Sequence, residues 1–100
     1  MLGMISIIIV HPDGNAPAVN RMIAAFQHEV RGRMGIPFPE KETAVICLVV
    51  DAEMDTVNTL TGRLGRLPGV SAKAVFPPEK RSFPREGEMY ATDDDSTGVG

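Results

Sequence analysis

Apolar residues recur along this chain with two different periods, and the switching between them lays out a fold. Met4 to Val10 is dense in β-branched residues and runs into His11-Pro12-Asp13-Gly14, a cluster of turn formers, so it reads as a first strand. Asn15 offers a helix cap, Pro17 suits a first helical turn, and Val19, Met22, Ile23 and Phe26 follow at the offsets of one helical face, which predicts a helix to about Gln27. Val30 to Ile36 alternates as a second strand. Val30, Gly32, Met34 and Ile36 fall on one side, Arg31, Arg33 and Gly35 on the other, and Pro37 and Pro39 should end it because neither can donate to a ladder. Thr43 to Val50 is apolar at both parities, the pattern of a central strand shielded on both faces. Asp55 or a neighbour opens a second helix lined by Val57, Leu60, Leu64 and Leu67, Pro68-Gly69 stops it, and Val70 to Phe76 makes a fourth strand.

This order predicts an α+β, ferredoxin-like βαββαβ fold: a four-stranded antiparallel sheet with both helices on one face. The opposite face is then open, although the first and third strands are apolar on both sides. No further segment has a core-forming pattern, so the expected cover is a second copy of the same surface, and a homo-oligomer, dimer or tetramer, is expected. After Pro77-Pro78 the apolar period stops. Residues 77–100 are charged and include Asp93-Asp94-Asp95, which predicts one domain over 1–76 followed by an acidic, disordered tail.

Composition refines this reading. One hundred residues, 43% of them hydrophobic, suffice for a single modest core. The net charge of -3 sits in the tail: residues 1–76 carry seven basic and seven acidic side chains, and 77–100 carry three and six. A balanced domain would have to segregate its charges to bind nucleic acid through phosphates. The longest apolar runs are too short to cross a bilayer and no basic segment leads into a signal-type core, so a cytoplasmic setting is expected.

Candidate chemistry is sparse. His11, His28 and Cys47 match no metal-ligand spacing, so no metal and no cofactor are expected. Cys47 lies mid-strand as a small buried hydrophobe, and no nucleophile stands near a base, which argues against an enzyme. The run Thr61 to Gly69 (TGRLGRLPG) falls at the finish of a helix, where phosphate is not held. Its Gly62 and Gly65 are expected to let the helix approach the sheet or a neighbouring subunit closely. Asp13, Gly14 and Asn15, at the first strand-helix turn, are the candidate ligand site, with an ordinary turn and cap as the plainer alternative. Arg33, Met34, Gly35 and Ile36 are candidate interface residues, as are Leu48 and Val49 at the middle of the third strand.

Arg33 to Pro37 (RMGIP) and Leu60 to Ser71 (LTGRLGRLPGVS), together with the strands Ile5 to Val10 and Ala44 to Val50, resemble the family of iron-only hydrogenase system regulators over residues 4–76. The resemblance implies an ACT-like domain, similar also to the C-terminal domain of nickel-responsive regulators, in a small oligomeric protein. It implies a small-molecule effector near Asp13, Gly14 and Asn15, or a hydrogenase-system protein partner. The clustered histidines of the nickel-responsive proteins are missing here, so nickel sensing does not carry over. The alternative from another class is a nucleic-acid-binding domain using Arg31, Arg33, Arg63 and Arg66. It lacks a stacking platform, since Phe38 is expected in a loop and Phe76 near a strand end.

Overall fold

Burial alternates at every step of β1, Leu2–Val10, and that period of two sets the molecule's layers. The computed structural model describes residues 1–78. After β1 come α1 (Pro12–Ala25), β2 (Val30–Phe38), a 3₁₀ turn (Pro39–Lys41), β3 (Thr43–Asp51), α2 (Met54–Gly65) and β4 (Val70–Val75). The strands form one antiparallel sheet in the order β2-β3-β1-β4, the ferredoxin-like βαββαβ arrangement expected from the pattern. The acidic tail beyond residue 78 lies outside the described residues.

The core lies between the sheet and the two helices. Ile5, Ile7 and Ile9 of β1 and Ile46, Leu48 and Val50 of β3 project into it. They meet Val19 and Ile23 from α1 and Val57, Leu60 and Leu64 from α2. Full burial of a side chain of this size contributes about 1.5–3 kcal/mol, so the three isoleucines of β1 form the spine of the domain.

Three local expectations change. First, α1 begins at Pro12 and its N-cap is His11, not Asn15. Asn15 sits inside the first turn and its Nδ2 donates to the Val10 carbonyl at 2.7 Å, satisfying the last acceptor of β1. Second, β2 continues through Pro37, which pairs with Ala44. A proline is tolerated there because β2 is an edge strand whose outward side needs no donor. Third, the register of β2 slips between Val30 and Gly32. This bulge lets Val30 pack toward the core while Gly32, Met34, Ile36 and Phe38 share the opposite face.

The end of the sheet where β1 finishes is closed by backbone bonds. The Val10 amide donates to the Gly69 carbonyl at 2.8 Å, and the His11 amide donates to the Glu42 carbonyl at 2.9 Å. Gly69 has φ 71, and a methyl on it would run into Asn15 Nδ2 and the Val10 carbonyl, so glycine is required at that turn.

Candidate functional site

Two regions are candidates: the sheet face opposite the helices, and a hollow at the end of the sheet beside α1. The face follows directly from the pairing. Cys47 stands between Met34 on β2 and Ser6 on β1, Val49 between Gly32 and Met4, and Val45 between Ile36 and Ile8. Beyond β1, the edge strand β4 adds Ser71, Lys73 and Val75. Among the described residues no helix or loop covers these positions, and Met4, Ile8, Val10, Met34, Ile36, Val49 and Val75 are all exposed. The patch is apolar through the middle of β2, β3 and β1 apart from Ser6, and charged at its margins, where β4 supplies Lys73 and the end of β3 supplies Asp51.

The structure divides the predicted interface residues between the two sides. Met34 and Ile36 lie on the open face, as does Val49. Leu48 is fully buried beneath the helices, so its neighbour Val49 is the one available for contact. Arg33 pairs with Leu48 on the helix side, where its Nη2 donates to Asn20 Oδ1 at 3.1 Å. Gly35 opposes Ile46, and a Cβ there would meet only ordinary contacts. Gly62 and Gly65 face open space, so the expected close approach of α2 to its own sheet is not made. Cys47, read as buried, is half-exposed because its parity points to the uncovered side.

The hollow has a volume of about 560 Å³ and is lined by His11, Pro12, Asp13, Pro37, Pro39, Glu42 and Thr43. Of the three ligand candidates only Asp13 lines it; Asn15 is turned to the Val10 carbonyl. The amides of Gly14 and Asn15 both donate to the His11 carbonyl at 3.2 Å, and Pro12 has no amide proton, so the helix start offers little to an anion. His11 and Glu42 both adopt left-handed backbone conformations with φ 50, and His11 Nδ1 lies 3.0 Å from Glu42 Oε1. Two non-glycine residues in that region, in contact with each other, place a modest strain in the lining of the hollow. His11 and Glu42 were not singled out from the sequence. The signal for them was the strand order itself, because pairing Val10 with Thr43 brings the residues flanking both strand ends together.

Three of the four candidate arginines are engaged within the chain. Arg31 reaches Asp51 at 3.6 Å, Arg33 holds Asn20, and Arg63 lies over the Phe26 ring at 5.9 Å from its centroid. Phe38 is not in a loop; it ends β2 on the open face, opposite Thr43, while Phe76 packs against the core. Among the described residues no group of three or more His, Cys, Asp or Glu side chains is placed to hold a metal ion. No described helix is long and apolar enough to cross a membrane.

The TM1266-like family model, described as "Iron-only hydrogenase system regulator, putative", matches residues 1–74, which spans every strand and helix except the last residue of β4. The chain belongs to this family. The solved structure of uncharacterized protein TM1266 from Thermotoga maritima superimposes with a TM-score of 0.71 at 30% identity, covering 74% of this chain and 92% of that one. No curated protein matches the chain. Membership of the TM1266-like family supports a regulatory role, and both candidate regions fall inside the matched segment apart from Val75 at the margin of the open face.

Proposed function

We propose that this member of the TM1266-like family is a non-enzymatic, cytoplasmic regulatory protein with an ACT-like domain, one that assembles with copies of itself and acts by binding a small effector or a hydrogenase-system protein. The observation that carries this reading is the uncovered apolar face: Ile8 is 46% exposed and Met34 60%, while Ile5, Ile7, Ile9 and Leu48 on the other side of the sheet are fully buried. An isolated copy would leave that surface in water, so self-association is favoured by the hydrophobic effect alone. The hollow beside α1 supports the effector half, since it joins polar groups from two segments, His11 and Asp13 from one and Glu42 and Thr43 from the other, with proline walls. Nucleic-acid binding is the weaker reading, because three of the four arginines it would use are held in contacts within the chain.

Thermal unfolding of the full chain against a panel of amino acids and cofactors tests the effector half. A ligand at one hundred times its Kd contributes about 2.7 kcal/mol, which raises the midpoint on the order of 10 °C in a domain of this size. One panel member should do so, and Asp13→Asn should reduce the shift. A flat panel would leave protein binding as the mode of action.

A further inference from the structure

The effector half of the reading above leaves the chemistry of the ligand open, and the lining of the hollow restricts it. Of its lining residues, Pro12, Pro37 and Pro39 have no amide proton to give. The amides of His11 and Glu42 are spent, donating to the Glu42 and Pro39 carbonyls at 2.9 and 3.0 Å. So is the hydroxyl of Thr43: Oγ1 donates to the Lys41 carbonyl at 2.8 Å, which leaves its lone pairs as acceptors. His11 Nδ1 lies 3.0 Å from Glu42 Oε1, so in the neutral ring Nδ1 donates there and Nε2 can only accept. Asp13 and Glu42 add carboxylates, and no lysine or arginine lines the hollow. The amides that remain belong to Asp13, which brings its own negative charge, and to Thr43, in a strand paired on both sides. The walls accept hydrogen bonds and have next to none to give.

We infer that the hollow takes a free small organic cation, an ammonium or guanidinium group on an apolar stem, and selects against carboxylates and phosphates. This rests on the effector reading and narrows it. Ammonium and guanidinium groups bring several donors and no acceptor, which complements walls that only accept. The three prolines offer apolar surface along which a methylene stem can lie. An anionic ligand would instead meet the carboxylates of Asp13 and Glu42 with no lining cation to offset them, and like charges brought together are strongly disfavoured. A metal ion is the poorer occupant, because among the described residues no three His, Cys, Asp or Glu side chains converge to hold one. The volume of about 560 Å³ falls in the range of small-molecule pockets. His11 and Glu42 are both well exposed, so the attraction should weaken as salt is added.

Calorimetric titration of the full-length protein at neutral pH tests this with three probes that share a four-carbon chain. Butane-1,4-diamine carries two positive ends, 4-aminobutanoate one of each sign, and succinate two negative ends. The diamine should bind about ten-fold more tightly than 4-aminobutanoate, and succinate should not bind. Asp13→Asn and Glu42→Gln, both checked for folding by circular dichroism, should each weaken the diamine by about the same factor. Glu40→Gln, an exposed carboxylate outside the lining, should leave its affinity unchanged. Diamine binding that the two lining variants do not alter would place the cation on acidic groups elsewhere, such as Asp93-Asp94-Asp95, and overturn the inference. Equal or tighter binding of 4-aminobutanoate or succinate, weakened by the same variants, would overturn the cation class while keeping an effector in the hollow. A diamine that does not bind would also overturn the inference, and the thermal panel of amino acids and cofactors then decides the effector reading separately.

Discussion

Ile7 and Ile8 are adjacent in β1 and chemically identical, yet Ile7 is completely buried and Ile8 is 46% exposed. Leu48 and Val49 repeat the contrast in β3, at 0% and 36%. Nothing about the side chains separates these pairs; the pleat does. Two helices of fourteen and twelve residues can cover one face of four strands and no more. Apolar content in a strand thus reports that a surface is to be buried, without saying that the same chain will bury it. The helix-side residues specify the fold, and their neighbours of opposite parity are free to specify contact with something else.

The sharpest way to test this division is to truncate one residue from each side. Leu48→Ala should destabilise the protein by about 2–5 kcal/mol, the cost of a buried leucine whose cavity cannot fully collapse. Val49→Ala, one position along, should cost less than about 1 kcal/mol in the unassembled chain, because its methyl groups leave a surface already in contact with water. Urea unfolding at low protein concentration measures both. Equal losses would mean that the open face is packed within a single chain, and the contrast between faces would dissolve.

A smaller effect is expected where the two faces are tied together at the end of the sheet. Gly69→Ala places a Cβ at φ 71 against Asn15 Nδ2 and the Val10 carbonyl, so the turn must shift and the Val10–Gly69 bond must lengthen. The left-handed conformation alone costs a non-glycine residue roughly 1–2 kcal/mol, and the clash adds to it. Denaturant midpoints should fall accordingly. The signals of His11 and Glu42 in an amide spectrum should move with Val10, since the same end of the sheet carries the hollow. A neutral substitution would show that this end is looser than its bonds suggest.

The layers were legible in the sequence because strand and helix periods differ and because the core residues obey them. Val57, Leu60 and Leu64 of α2, and Val19 and Ile23 of α1, are buried as their spacing required. What escaped was decided by contacts distant in the chain. The bulge after Val30 reverses the parity of β2, and no residue in Arg31-Gly32-Arg33 announces it; the pairing with β3 does. Pro37 looked like a terminator because its edge position was not yet known. Asn15 had the chemistry of a cap, but the unsatisfied Val10 carbonyl competed for its side chain and won. Of the candidate site, Asp13 lines the hollow, and Met34, Ile36 and Val49 lie on the open face. Leu48, Arg33 and Gly35 fall on the helix side, and His11 and Glu42 emerged only when β1 and β3 were paired.

Gly62 offers the finest probe, because it asks whether the helix layer is as self-sufficient as the contrast implies. It lies within α2, is exposed, and a Cβ built on it meets nothing within 4 Å. Glycine inside a helix costs about 0.5–1 kcal/mol relative to alanine, through backbone freedom lost on folding. If α2 serves only its own sheet, Gly62→Ala should recover that amount in urea unfolding and leave native mass unchanged. If copies instead approach one another through α2, the added methyl would stand between them, and the variant would lose mass while each chain became more stable. Stability and mass moving in opposite directions would thus shift the shared surface from the open sheet face to the helix layer. A gain in stability at constant mass keeps assembly on the face where Val49 and Met34 lie.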